Sequence, residues 1–144
     1  MKFIIKGDNG DVIVEIIRRN DYGSEEYYDA NWLSTRINVN ILGYNASFNG
    51  DIQTTEIESF MNQVEKMYNM SSNEAIFSTI EGIIEIKGKK NTLGHIEWIC
   101  ETRYPAGIGA TLLFSINSDQ SFLPNLISQL KNILKIFPVI NANK

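Results

Sequence analysis

Short runs of apolar or alternating apolar and polar residues, bounded by Gly, Asn and Asp, recur along most of the chain. This pattern predicts antiparallel strands joined by tight turns. Turn residues separate most of the runs, as at Asp8-Asn9-Gly10, Leu42-Gly43 and Glu81-Gly82. The predicted strands are residues 2–6, 11–18, 32–41, 44–49, 75–80, 82–89, 94–104 and 108–116.

A first helix is predicted near the middle of the chain. Thr55 and Glu58 have the spacing of a capping box. In this motif each of the two side chains accepts a hydrogen bond from the backbone N–H of the other residue at the start of the helix. The residues that follow place apolar side chains at helical spacing on one face, and the opposite face is acidic. The apolar positions are Ile57, Phe60, Met61, Val64, Met67 and Tyr68.

A second helix is predicted near the C-terminus. It begins near Ser121, tolerates Pro124 because that residue lies in the first turn, and ends before Pro138. Its apolar stripe consists of Leu123, Leu126, Ile127, Leu130, Ile133, Leu134 and Phe137.

The element order is therefore ββββαββββα, with the same series in each half of the chain. A diverged duplication would give this order, although no residue-by-residue repeat joins the halves. No linker rich in Pro, Gly or Ser separates them. We therefore predict a single α+β domain, residues 1–144, of mainly antiparallel sheet whose two amphipathic helices cover one face of the strands.

Alternation assigns opposite faces to the residues of the predicted strand 32–41. Leu33, Thr35, Ile37 and Val39 share the apolar face, and Ser34, Arg36, Asn38 and Asn40 share the polar one. Trp32 begins the polar face. Two interpretations remain open for this indole: the preceding residues fold over it, or it forms an exposed anchor for a partner.

The charge is unevenly distributed between the halves of the chain. The 144 residues carry a net charge of −4 and are 43% apolar. Residues 1–74 contain twelve Asp and Glu against six Lys and Arg, whereas residues 75–144 contain five against seven. A negative first half disfavours binding to nucleic acid and favours a basic partner or, more simply, solubility.

Much of the negative charge falls in residues 20–32, which we call the acidic aromatic segment. This segment contains four carboxylates, three tyrosines and a tryptophan, with no Lys or Arg. Aromatic side chains supply contact area at protein interfaces, and charges supply steering and register. The predicted partner-binding residues are Asp21, Tyr22, Glu25, Glu26, Tyr27, Tyr28, Asp29 and Trp32.

The sequence also predicts a cytosolic protein. Residues 1–10 lack the apolar core of a signal peptide, and no run of eighteen apolar residues exists that could span a membrane. Cys100 is the one cysteine, which excludes an internal disulfide and agrees with a reducing compartment.

No catalytic constellation is predicted. The positions of His95 and Cys100 differ by five, an odd number, in one predicted strand, so the two side chains point to opposite faces and cannot pair as base and nucleophile. His95 and Glu97 share a face, but two ligands do not define a metal site. Gly107-Ile108-Gly109 precedes a strand and lacks the context of a dinucleotide loop. We therefore expect no metal and no cofactor.

Three stretches of the chain carry a family resemblance. They are YYDANWL (27–33), GHIEW (94–98) and DQSFLPNLISQL (119–130), which opens the last helix. In these stretches and in element order, the chain resembles the WapI-like immunity proteins of bacterial wall-associated, contact-dependent toxin systems. The resemblance implies a protein of the producing cell's cytosol that binds and neutralises the toxic C-terminal domain of a cognate secreted protein, frequently a nuclease. It implies no catalytic residues, and only Asp29 and Trp32 of the matched positions lie among the predicted partner-binding residues.

Three functions follow from these observations. The first is an immunity protein that blocks a basic toxin domain through the acidic aromatic segment, with the Asn-rich strand face as a further contact. The alternative is a small-molecule-binding module whose strands close around an apolar pocket, although amphipathic helices argue against a hollow interior. The third is a metal-dependent hydrolase centred on His95 and Glu97. The sequence favours the first.

Overall fold

The computed structural model describes residues 1–20 and 30–141. Within these ranges the chain forms eight strands and two α-helices in the order ββββαββββα, which confirms the predicted fold class. The first half contains β1 (Lys2–Gly7), β2 (Gly10–Arg19), β3 (Trp32–Ile41), β4 (Tyr44–Gln53) and α1 (Thr54–Tyr68). The second contains β5 (Glu74–Ser78), β6 (Ile84–Lys90), β7 (His95–Tyr104), β8 (Ala110–Asp119), a 3-10 turn (Gln120–Phe122) and α2 (Leu123–Ile136).

The strands form two antiparallel sheets, each a meander of sequential neighbours. The first sheet has the order β1-β2-β3-β4 and the second β5-β6-β7-β8. Along most strands buried residues alternate with exposed or partly exposed ones, so each sheet has an inner face towards the core and an outer face towards solvent.

An aromatic cluster fills the core where the two sheets meet α1. The ring of Phe60 on α1 lies 5.9 Å from Phe3 of the first sheet, 5.4 Å from Phe77 of the second and 6.1 Å from Trp98 of the second, between centroids. All four side chains are buried. Because this space is filled by side chains, the two sheets do not enclose a hollow barrel.

The last helix follows its predicted stripe. Leu123, Leu126, Leu130 and Ile133 are buried, and Ile127, Leu134 and Phe137 pack partly buried against the core. Pro124 lies in the first turn and α2 ends at Ile136, as the sequence predicts.

The start of α1 corrects the sequence prediction. The helix begins at Thr54, and its capping box joins Gln53 to Glu56 instead of Thr55 to Glu58. Glu56 also accepts a hydrogen bond from the backbone N–H of Ile80, 2.6 Å away, and burial of the carboxylate raises its pKa. A glutamine serves here as N-cap, which the usual Ser, Thr, Asp and Asn preference does not anticipate. Tyr68, predicted on the apolar stripe, is 49% exposed, whereas Met67 in the same turn is buried.

Several strand boundaries also differ from prediction, among them those of β8, which spans Ala110–Asp119 instead of residues 108–116. β4 continues past its predicted end to Gln53. In the added residues Ile52 points into the core and Asp51 points outward, so the strand alternation continues. β5 ends at Ser78 and β6 begins at Ile84, because the backbone N–H of Gly82 bonds the carbonyl of Thr79 in a turn. Gly82 has φ +71°, a conformation that glycine adopts readily.

The turn between β1 and β2 joins the two halves. The backbone N–H of Asp8 donates to the carbonyl of Asn117 in β8 at 2.8 Å, and Ser118 Oγ donates to the carbonyl of Lys6 at 2.7 Å. The side chain of Asn9 bonds both the carbonyl of Ser115 and the N–H of Asn117. This turn therefore covers part of β8, the edge strand of the second sheet, with hydrogen bonds.

Candidate functional site

Most of the predicted partner-binding residues lie outside the described residues. Asp21, Tyr22, Glu25, Glu26, Tyr27, Tyr28 and Asp29 all fall in the gap between residues 20 and 30. Trp32 is described. It is the first residue of β3, opposes Gln53 of β4 on the outer face of the first sheet, and is partly buried.

The two ends that flank this gap are held by hydrogen bonds. The backbone N–H of Asn20 donates to the carbonyl of Trp32 at 2.9 Å, and Asn20 Oδ1 accepts a hydrogen bond from Ser34 Oγ. The guanidinium of Arg19 donates to the carbonyl of Ala30 at 2.5 Å and to that of Pro138 at 2.6 Å. Arg19, Asn20 and Ala30, which flank the gap, are therefore held in place, and Arg19 also links them to Pro138 near the C-terminus.

Asn31 anchors the return of the chain. Its side chain is 1% exposed, and Oδ1 accepts from Thr54 Oγ1 at 2.6 Å and from the backbone N–H of Ile140 at 2.8 Å. Its Nδ2 donates to the carbonyl of Ile140 at 2.9 Å. Sequence reasoning missed this role, because an asparagine ahead of a strand resembles any turn residue.

The outer face of the first sheet is polar, as predicted, and its side chains bond one another across strands. Arg36 donates to Asn49 at 3.0 Å, Asn40 to Asp11 at 3.0 Å, and Ser47 to Asn38 at 2.7 Å. These hydrogen bonds form a ladder over β2, β3 and β4. Many of the polar side chains on this Asn-rich face therefore form hydrogen bonds with one another.

The outer face of the second sheet has a different character, which the sequence analysis did not single out. Glu85 of β6 lies directly opposite Glu101 of β7, and Glu101 lies directly opposite Leu113 of β8. The next row joins Lys87 to Ile99. Leu113 is 67% exposed and Ile99 is 41% exposed. Carboxylates and apolar side chains therefore share this surface.

The two reactive side chains of the second sheet lie apart, as strand alternation predicts. His95 is exposed on the outer face, and Cys100 is buried on the inner one. Burial raises the pKa of the Cys100 thiol to about 12, so the thiolate needed for nucleophilic attack is scarce at neutral pH.

His95 lies beside acidic residues without forming a defined metal site. Cross-strand pairing places it opposite Asp119, whose pKa is lowered chiefly by hydrogen bonds from Ser121. Glu97 shares the face of His95. No group of three His, Cys, Asp or Glu side chains suited to a metal ion occurs among residues 1–20 and 30–141.

A polar cleft borders His95. Its lining includes Lys90, His95, Glu97, Asn117 and Asp119, and its volume is about 500 Å³. Positive, negative and amide side chains line it, whereas a small-molecule site is mostly lined by apolar side chains with few polar groups. The lining therefore does not resemble that of a small-molecule site.

In the described part of the chain, no helix is long and apolar enough to cross a membrane.

Comparison of the fold with solved structures finds two similar chains of low sequence identity. MRP1/MRP2 from Trypanosoma brucei match with a TM-score of 0.52 and 10% sequence identity, over 94% of this chain and 84% of theirs. A guide-RNA-binding protein complex bound to a guide RNA matches with a TM-score of 0.52 and 9% identity, over 93% of this chain and 89% of that one. At such identity the likeness concerns the fold alone.

Comparison of the sequence points elsewhere. No significant match to this chain is found among curated proteins. A family model described as "Immunity protein WapI-like family" matches residues 3–138, which span the strands and helices described above except Lys2, the first residue of β1. The chain therefore belongs to the WapI-like family of immunity proteins.

Proposed function

We propose that this protein binds and neutralises the toxic C-terminal domain of a cognate contact-dependent toxin in the cytosol of the cell that produces it. The family match over residues 3–138 carries the proposal. An immunity protein needs an affinity for its toxin and no turnover of its own. The buried Cys100 and the separation of His95 from it agree with a protein that acts by binding.

The acidic aromatic segment is our proposed toxin contact. Four carboxylates without a compensating cation make it the most negative stretch of the sequence. Asn20 and Asn31, which lie near the two ends of this segment, are held by hydrogen bonds to the rest of the fold, and these fixed positions support the proposal. Fixed ends reduce the entropy lost on binding.

A basic toxin domain fits this surface. A nuclease holds its phosphate backbone with Lys and Arg, so a protein with clustered carboxylates competes for the same cations. Negative charge also speeds association with a positive partner. We propose blocking of this kind, steric and electrostatic together, and a nuclease as the toxin activity that matches it best.

The guide-RNA binding named for one of the two similar structures is not our proposal for this chain. Affinity for RNA depends on positive charge facing the phosphates, and this chain carries a net charge of −4. Glu85, Glu97 and Glu101 lie exposed on the outer face of the second sheet. The fold likeness therefore supports a shared scaffold and a different ligand.

Charge reversal tests the proposed contact. We expect Glu25→Lys with Glu26→Lys to weaken binding of the C-terminal domain encoded by the adjacent toxin reading frame by roughly tenfold or more, because two attractions become repulsions. Titration calorimetry at low and high salt measures the affinity, and the salt dependence should become shallower in the variant. Co-expression with the toxin domain measures protection.

A matched control tests whether the position of the charge matters, or only the net charge of the protein. Glu58→Lys with Glu81→Lys makes the same change in net charge at two exposed carboxylates of α1 and of the β5–β6 turn. It should retain affinity within about threefold, as expected of charges outside the interface. Unchanged affinity and unchanged salt dependence in the Glu25 and Glu26 variant would sink the proposed contact.

A further inference from the structure

Each sheet ends in two edge strands, and three of these four edges are covered at least in part. Gln129 accepts from the N–H of Ile4 in β1, and Gln63 bonds both backbone groups of Ile76 in β5. The β1–β2 turn bonds β8 through the side chain of Asn9. Such cover occupies backbone groups that a further strand would use for pairing. The fourth edge strand is β4.

The edge of β4 that faces away from β3 lacks this cover. Ile41 and Tyr44 flank a two-residue turn, so they exchange backbone hydrogen bonds, as does every second pair along β3 and β4. The residues between these pairs direct their N–H and C=O groups outward: Asn45, Ser47, Asn49 and Asp51. Within residues 1–20 and 30–141, no hydrogen bond reaches the backbone of these four residues. Such a row of groups fits the backbone of another extended strand.

The side chains of β4 are also free of the features that protect an open edge. Residues 44–50, YNASFNG, contain no Asp, Glu, Lys, Arg or Pro. A charged residue or a proline in an edge strand opposes pairing with another chain. A neutral edge offers no attraction to a strongly basic partner and no repulsion to a strand of the same sequence.

The inner-face side chains of β4 complement those of a second β4 strand running antiparallel to it. About a two-fold axis at Ser47, residues equally distant from Ser47 lie opposite each other. Tyr44 then lies opposite Gly50 of the second copy, and Phe48 lies opposite Ala46 of the second copy. Each large side chain therefore meets a small one.

The same axis matches the outward backbone groups and the charges. Asn45 lies opposite Asn49 of the second copy, so residues with unpaired backbone groups meet and exchange both N–H···O bonds. Asp51, the one charged residue of β4, lies opposite Gly43 of the second copy. No two carboxylates therefore face each other across the pair.

A groove beside Gly50 can receive the exposed Tyr44 of the second copy. The groove has a volume of about 290 Å³, and its lining includes Gly50, Ile83, Tyr104 and Ala106. Tyr44 is 63% exposed and Tyr104 is 53% exposed. Because Tyr44 of the second copy lies opposite Gly50, pairing buries both tyrosine side chains further.

We propose that β4 is the contact between two copies of this chain, which pair antiparallel about a two-fold axis at Ser47. Strands β1–β4 of the two copies then form one continuous sheet. Backbone pairing sets the orientation, and the placement of Tyr44 in the groove of the other copy sets the register. This dimer goes beyond the proposed function and does not depend on it.

Charge at the axis tests the contact. The unmodified chain should show a concentration-dependent monomer–dimer equilibrium in sedimentation velocity. Ser47→Lys places two lysines face to face, so the dissociation constant of the dimer should rise about tenfold or more. Ser128→Lys adds the same charge at an exposed position of α2 and should change this constant by less than about threefold. Circular dichroism verifies the fold of each variant.

Cysteine crosslinking tests the register. Ser47→Cys places two thiols at opposite positions of a hydrogen-bonded pair, where Cα atoms lie about 5.5 Å apart, within the range of a disulfide. Mild oxidation should therefore yield a crosslinked dimer. Asn45→Cys should not crosslink with itself, because its two copies lie apart along the paired strands, but it should crosslink when mixed with Asn49→Cys. Cys100 is buried and present in every variant.

Several results would overturn the dimer. They are a chain that stays monomeric at every concentration, a dimer that Ser47→Lys leaves intact, and crosslinking of Asn45→Cys with itself or none of Ser47→Cys. A monomeric chain whose Ser47→Lys variant binds the toxin domain of the adjacent reading frame more weakly would show that β4 receives a strand of the toxin instead. The proposed function stands in all these cases, because it requires only that the unmodified chain bind the toxin.

Discussion

At the scale of single residues, the flanks of the acidic aromatic segment depend on Asn31. Its amide satisfies Thr54 on one side and both backbone groups of Ile140 on the other, and these partners lie 23 and 109 residues away in sequence. A buried polar group that loses its partner costs its full desolvation. Asn31 is therefore a stabilising residue that ties the described end of the acidic aromatic segment to α1 and to the C-terminal residues.

We expect Asn31→Ala to lower the free energy of unfolding by about 2 kcal/mol, because Thr54 Oγ1 and the backbone of Ile140 lose their buried partners. Urea denaturation measures the change. Asn45→Ala, at an exposed position of β4, should cost no more than about 0.5 kcal/mol. Equal midpoints for the two variants would contradict the anchoring role of Asn31.

At the scale of secondary-structure elements, the free edge of the first strand in each sheet is covered by one glutamine from the helix of the other half. Gln63 of α1 both donates to the carbonyl of Ile76 in β5 and accepts from its N–H, at 3.1 and 3.0 Å. Gln129 of α2 accepts from the N–H of Ile4 in β1 at 2.9 Å. Helices thus protect strand edges that would otherwise be templates for pairing with other chains.

Substitution of Gln129 tests this edge protection. Gln129→Leu should lower stability by about 1 kcal/mol, because the amide of Ile4 loses its acceptor, while Gln129→Glu keeps a side-chain oxygen and should cost less. Hydrogen exchange at Ile4 should quicken in the leucine variant only. Slow exchange at Ile4 in both variants would show that some other group protects this edge.

At the scale of the whole molecule, we propose that the two halves form a single folding unit. Three observations support it: the β1–β2 turn bonds β8, Phe60 contacts aromatic rings of both sheets, and Lys131 of α2 pairs with Glu65 of α1 at 3.0 Å. The exposed ion pair contributes little by itself. The backbone contact and the shared core account for most of the coupling.

Gly7→Ala tests this coupling. A Cβ at Gly7 would lie 2.1 Å from the carbonyl oxygen of Asn117, so we expect a loss of about 2 kcal/mol as the turn shifts from β8. Unfolding should remain one transition when followed by circular dichroism and by fluorescence of a Trp32→Phe variant, in which Trp98 reports on the second half.

The control for Gly7 is another turn glycine. A Cβ at Gly43 would meet no atom within 4 Å, so Gly43→Ala costs only its left-handed backbone conformation, about 1 kcal/mol. Two separated transitions in any of these proteins would show that the halves fold independently, against the single domain that the sequence predicts.

The candidate site was predictable only in part. The acidic aromatic segment stands out by composition, but seven of its eight proposed contact residues lie outside the described ranges, so this prediction stays a prediction. The polar face that begins at Trp32 is confirmed, since strand alternation is local. The row of Glu85, Glu101 and Leu113 was missed because neighbours across a sheet are separated in sequence by the turns that set their register.

The sequence by itself determined the order of strands and helices, the inner face of each strand and the burial of Cys100, because periods of two and 3.6 residues act over a few neighbours. The tertiary structure decided which strand edges the helices cover, how the β1–β2 turn closes β8, and which carboxylates face each other. Those contacts join residues far apart along the chain, and only packing of the whole core fixes their geometry.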